Sequence, residues 1–236
     1  MNKKTLIFAA VTFSMLFAVS QAAHATAHVT AKEVGVRLSE LLKPEAMRVV
    51  INGDSAWVTA TGSSLDGVRV ESMKLHAKLK NSGRVVTSAD NTGLAALIES
   101  STGEMILLER DVNSYFKNNN GVKGFSDLSF DFTSSGFTAQ SSLSADFLNG
   151  LKVPLNAAGK LGLKSDGVYL QDTKISLAGL IQVGSASNYV TDRINPLLSF
   201  KSLPFPVTFK TLTMDGDKVL LTGSPTPIFS GDIWTK

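Results

Sequence analysis

Val68-Arg69-Val70-Glu71-Ser72-Met73-Lys74-Leu75-His76-Ala77-Lys78-Leu79 alternates apolar and polar residues, with one change of phase: Val68 and Val70 are even, whereas Met73, Leu75, Ala77 and Leu79 are odd. A period of two marks a half-buried strand. At about 3.3 Å per residue the stretch reaches roughly 40 Å, about twice a usual strand, and a strand that long belongs to a long, bent antiparallel sheet. One inserted residue near Glu71-Ser72, a β-bulge, keeps both apolar halves on one face.

The same slip recurs one hundred residues further on, where Val168 and Leu170 are even and Ile175 and Leu177 odd, which puts a second bulge near Gln171-Asp172. Asp66-Gly67-Val68 matches Asp166-Gly167-Val168, and Lys74 matches Lys174. A shared turn, bulge and apolar phase point to an internal duplication. The two copies also continue alike. Leu108, Val112, Tyr115 and Phe116 have helical spacing, as do Val190, Ile194, Leu197 and Leu198, and each set leads into a hairpin. The first hairpin joins Leu128–Phe132 to Phe137–Gln140. The second joins Phe205–Met214 to Val219–Thr222 through a turn at Asp215-Gly216. Pro196 is expected to kink or end the second helix.

Upstream, Thr30-Ala31-Lys32-Glu33 reads as a capping box opening a helix with Val34, Leu38, Leu41 and Leu42 on one face, and Pro44 stops it. Strands are expected at Met47–Asn52 and Ala56–Thr61. Further upstream, Lys3 and Lys4 precede an apolar run, Thr5–Val19, and Ala23-His24-Ala25 fits a small-x-small cleavage rule. Residues 1–25 therefore read as a secretory signal peptide, with cleavage placed after Ala25 and Ala22 or Ala27 as alternatives; the apolar run, about 15 residues, falls short of the roughly 20 of a membrane-spanning helix. Such a peptide implies export to the periplasm or cell envelope. One domain is expected over residues 26–223, with a tail at 224–236.

Removal of residues 1–25 takes away Lys3 and Lys4 and leaves 21 basic against 20 acidic residues. That near-neutral chain has no clustered basic footprint, so nucleic acid is set aside as a partner. It has no cysteine, which excludes disulfides, thiolate nucleophiles and cysteine-bound metals. His28 lies near the new terminus and His76 on the polar phase of its strand; neither belongs to a triad pattern. No Walker loop, dinucleotide fingerprint, Gly-x-Ser-x-Gly elbow or His-Glu-x-x-His occurs. Ser114-Tyr115-Phe116-Lys117 satisfies Ser-x-x-Lys without its companion elements, and Asp215-Gly216-Asp217 lacks a calcium ligand series. No enzyme activity, metal or cofactor is expected.

The 13 Phe residues and the positive mean hydropathy, +0.12, must be buried by protein or by a guest. A sheet curled over amphipathic helices makes a concave apolar groove suited to acyl chains; the bland alternative is an ordinary core. An outer-membrane β-barrel would also be exported and alternating, and Trp234 fits an aromatic ending, but the helical spacings at Val34–Leu42 and Leu108–Phe116 contradict it.

The runs Ser64–Glu71, Leu108–Phe116 and Arg193-Ile194-Asn195-Pro196-Leu197-Leu198 resemble the LmeA-type phospholipid-binding family of bacterial envelopes. So do Leu203–Phe209, Asp215-Gly216 and Val219–Gly223. The resemblance implies an α+β, TULIP-like fold, a bent, bulged antiparallel sheet wrapped around amphipathic helices. It implies a phospholipid or other acyl-chain lipid as partner, with transient membrane contact, and no catalytic residue. The expected lipid-binding residues are Leu108, Val112, Tyr115, Phe116, Ile194, Leu197, Leu198 and Phe205.

Overall fold

A computed structural model describes residues 29–80, 91–118, 122–144, 151–182 and 185–236. The expected signal peptide, residues 1–25, lies outside them. The chain opens with helix α1 (Ala31–Leu42), whose Thr30 hydroxyl accepts from the Glu33 amide at 3.2 Å while the Glu33 carboxylate accepts from the Thr30 amide at 3.0 Å, the capping box expected. Lys43 ends it in the left-handed conformation, φ 45°, directly before Pro44.

Strands β1 (Ala46–Asn52), β2 (Ser55–Leu65) and β3 (Val68–Leu79) form an antiparallel meander. A short helix, α2 (Asn91–Leu97), leads to β4 (Ile98–Leu108) and then α3 (Glu109–Asn118). A second meander comes next, β5 (Phe125–Thr133), β6 (Gly136–Ser144), β7 (Lys152–Lys164) and β8 (Gly167–Leu177). Then come β9 (Leu180–Gln182), α4 (Ser185–Ile194), β10 (Leu198–Ser199), β11 (Thr211–Asp215), β12 (Lys218–Thr222) and β13 (Asp232–Thr235). The class is α+β with antiparallel sheets, and each half runs a four-stranded meander toward a helix.

The single sheet expected from sequence is in fact two. One has the order β11-β12-β4-β3-β2-β1-β13, the other β10-β8-β7-β6-β5 with β9 also on β8. The reason is chain direction at β4: it pairs with β3 on one side and with β12 on the other, so β5 starts a new sheet. One apolar cluster joins the inner faces of both, from Val49, Val70, Met73 and Leu75 to Phe130, Phe137, Leu155 and Ile175. Residues 224–236, expected as a tail, supply β13, which extends the first sheet beside β1.

The two phase changes are realised differently. In β8, Ala158 pairs with Lys174 and Lys160 with Gln171, so two residues of β8 face one of β7, and Asp172 takes φ 49°. That is the bulge expected at Gln171-Asp172. In β3 the bulge expected at Glu71-Ser72 is replaced by something else. Thr61 pairs with Ser72 and Ser63 with Val70, so the β2–β3 register does not shift. Burial nevertheless changes phase, with Val70 0 % and Met73 1 % exposed. Gly62, opposite Glu71 and at φ +61°, changes phase together with its partner, so β2 and β3 turn over as a pair. The register of β3 shifts elsewhere, against β4 between Lys78 and Leu79.

Two expected turns also move by one residue. Leu65 pairs with Val68 around Asp66-Gly67, φ 50° and 86°, a two-residue turn with both centres left-handed. Lys164 pairs with Gly167, so its counterpart turns at Ser165-Asp166, and Asp215 pairs with Lys218, so the last hairpin turns at Gly216-Asp217. Gly167 is held in the strand because Leu198 and Ser199 of β10 pair across Val168 and Gly167. Phe205–Lys210, expected within the last hairpin, lies outside any strand and touches β4 through a parallel bridge between Thr208 and Thr102.

Candidate functional site between the helices

The helices α3 and α4 meet the second sheet at its two edges, and each is fastened there by one asparagine. On α3, the Asn113 amide nitrogen donates to the Phe130 carbonyl at 2.8 Å and its oxygen accepts from the Phe130 amide at 2.7 Å. At the end of α4, the Asn195 oxygen accepts from the Leu170 amide at 2.7 Å and its nitrogen donates to the Leu170 carbonyl at 3.2 Å. A side-chain carboxamide presents one donor and one acceptor, the pattern a neighbouring strand would present. Each Asn thus stands in for a strand, on the free edge of β5 and on the stretch of β8 between its pairings with β10 and β9. One turn before Asn113, the Glu109 carboxylate accepts from the Phe132 amide at 2.6 Å. Val112 and Ile194, each just before its asparagine, are 0 % and 7 % exposed.

The N-terminal end of α3 is also tied to the first sheet. Arg69 of β3 reaches Asp111 at 3.1 Å, Glu71 at 2.5 Å and Glu45 at 3.0 Å, while Arg110 reaches Glu71 at 3.3 Å. Hydrogen bonding to Arg69 holds the Glu71 carboxyl below its ordinary range, and the same carboxylates, Glu45 first, raise the Arg69 guanidinium. These groups serve attachment of the helix.

Where α3 and α4 approach each other, a cleft of about 330 Å³ opens. Tyr115 and Phe116 line it from α3, Ile194 from α4, and Leu197 and Leu198 from the segment after α4. Asp66 and Val68 close one side, and Arg193 stands among the polar lining. A second cleft, about 450 Å³, lies between the end of α3 and β5, and Phe116 lines both. A third, about 410 Å³, is lined by Phe200, Leu203 and Phe205 together with Ala95 of α2, and by no residue of α3 or α4.

Five of the eight residues singled out from sequence therefore share the first cleft, while Phe205 lines the third. Val112 lies in the core and lines none of the three. Leu108 ends β4 opposite Lys218 and is not helical, because the antiparallel pairing with β12 carries the strand to that residue. Leu197 and Leu198 likewise come after α4, which stops at Ile194 as Pro196 requires. Most of these side chains are well covered: Leu198 is 1 % exposed, Leu197 3 %, Phe205 4 % and Phe116 6 %. Sequence reasoning passed over Asn113, Asn195 and Arg193. The available signal was a polar residue set directly beside a buried aliphatic one in both helices, Val112-Asn113 and Ile194-Asn195.

Ser114 donates to the Arg110 carbonyl one helical turn back, at 2.7 Å, so the Ser-x-x-Lys match is a helix surface. No helix among the described residues is long and apolar enough to cross a membrane.

Neither a curated protein nor a solved structure matches this chain. The family model of LmeA-like phospholipid-binding proteins matches residues 21–224, which covers the four helices and every strand among the described residues except β13. By that match the chain belongs to the LmeA-like phospholipid-binding family.

Proposed function

We propose that this chain is an exported, non-catalytic protein of a bacterial envelope that holds a phospholipid by its acyl chains between α3, α4 and the curved sheets, in a TULIP-like manner. The observation that carries this reading is the convergence of Tyr115, Phe116, Ile194, Leu197 and Leu198 on one cleft from two separate segments. Membership of a phospholipid-binding family supports the ligand class. The basic and apolar run of residues 3–19, with Ala23-His24-Ala25 after it, supports export.

At about 330 Å³ the cleft is at the low end of the roughly 300–1,000 Å³ typical of small-molecule sites. An acyl chain therefore extends it by moving Phe116, the ring shared with the 450 Å³ cleft. A second reading, a partner-binding envelope protein with an ordinary core, draws on the near-complete burial of Leu197 and Leu198.

The test combines extraction with paired variants. Mass spectrometry of an organic extract of the purified mature protein is expected to find phospholipid. Phe116→Ala and Leu197→Ala each remove contacts worth about 2–5 kcal/mol if the site is pure core, and then melting temperature falls while lipid uptake per folded molecule holds. On the lipid-binding reading, retention of a fluorescent phospholipid falls more than stability, because a ligand stabilises only the bound form. Wild-type protein that neither copurifies with lipid nor takes one up leaves the second reading.

A further inference from the structure

The cleft between α3 and α4 has an apolar floor and one fixed cation at its edge. Val68, Phe116, Ile194, Leu197 and Leu198, all under 9 % exposed, make the floor. Arg193 lines the same cleft from the last turn of α4 and is exposed. Its guanidinium lies 4.3 Å above the Tyr189 ring and donates through Nη1 to the Lys123 carbonyl at 2.9 Å. Those two contacts fix the planar group and, among the described residues, leave Nη2 and Nε as donors.

No carboxylate lies within ion-pair distance of Arg193 among the described residues, in contrast with Arg69, which is satisfied by Glu45, Glu71 and Asp111. A guanidinium keeps its charge at every working pH and matches phosphate oxygens in a two-pronged geometry. Holding it in place beforehand lowers the ordering cost of binding.

We propose that Arg193 is the phosphate subsite of this cleft: a bound amphiphile lies with its acyl chain on Phe116, Ile194, Leu197 and Leu198 and its phosphate head at the rim. The inference rests on the lipid-binding reading and adds the orientation of the ligand. Asp66, in the β2–β3 turn, is the opposing charge on the cleft lining. Its carboxylate repels a phosphate, so the two side chains act on the same ligand with opposite sign.

Three probes separate the outcomes: labelled phosphatidylglycerol, diacylglycerol carrying the same label, and inorganic phosphate. Arg193→Gln is expected to weaken phosphatidylglycerol about tenfold or more, the usual size of a lost charge-assisted hydrogen bond, and to leave diacylglycerol unchanged. Arg193→Lys restores part of the loss, and Asp66→Asn, which suits the left-handed backbone there, tightens phosphatidylglycerol. Melting temperatures of the variants, measured alongside, confirm that folding is intact. Equal weakening of both lipids by Arg193→Gln, or no change in either, overturns the subsite while the lipid-binding reading stands. Inorganic phosphate that binds through Arg193 without affecting lipid uptake also overturns it, by separating the cation from the amphiphile. A wild-type protein that takes up neither lipid instead defeats the lipid-binding reading itself.

Discussion

Gly35 of α1 lies against the indole of Trp234, and a Cβ at that position would overlap the ring at Cε3 and Cδ2. The helix needs this glycine for closeness, because Trp234 of β13 covers α1 and packs on the core. Gly35→Ala recovers up to about 1 kcal/mol of helix propensity but forces the ring and its strand to shift, at about 1–3 kcal/mol. A net loss of about 1 kcal/mol in urea unfolding is expected, with Trp234 emission moving to the red; an unchanged midpoint would show that the strand yields freely. Asn113 and Asn195 belong to this scale too, since each satisfies two backbone groups that no strand reaches.

At the scale of elements, β8 carries its bulge on Asp172, a residue other than glycine in the left-handed region, φ 49°. Asp tolerates that conformation far better than a β-branched residue does. Asp172→Val is expected to cost about 1–2 kcal/mol in denaturant unfolding, whereas Asp172→Gly stays within about 0.5 kcal/mol of wild type. If both variants cost the same, the loss comes from the carboxylate and not from the backbone. The partner irregularity in β2 and β3 uses Gly62, where a Cβ would meet the Glu45 side chain. That phase change was readable in β2 as well, since Ala56, Val58 and Ala60 are even and Leu65 is odd on either side of Gly62.

Across the whole molecule, both sheets close on one apolar cluster, so neither has a core of its own. The two tryptophans, Trp57 and Trp234, both belong to the seven-stranded sheet. Fluorescence therefore reports on that sheet, whereas far-ultraviolet circular dichroism reports on both. The two signals are expected to change together in urea, and Phe137→Ala in the six-stranded sheet is expected to shift the fluorescence midpoint by a loss of about 3–5 kcal/mol. A fluorescence midpoint that ignores Phe137 would mean that the sheets unfold separately.

The one-dimensional pattern by itself determined what depends on neighbours within a few residues. Thr30 and Glu33 cap a helix through contacts three residues apart, Pro196 disfavours a helical backbone at its predecessor, and the even-to-odd change from Val168 to Ile175 demands a break in the pleat, which β8 meets with an extra residue. Tertiary structure alone decided which strands share a sheet, because β12 reaches β4 across more than a hundred residues and no periodicity encodes a partner. It also decided that Gly62 and Glu71 turn over together, that residues 232–235 extend the first sheet, and that Arg193 comes to the rim of a cleft floored by Phe116. Those outcomes arise from how two curved surfaces close over one core, a constraint that exists only once the distant segments have met.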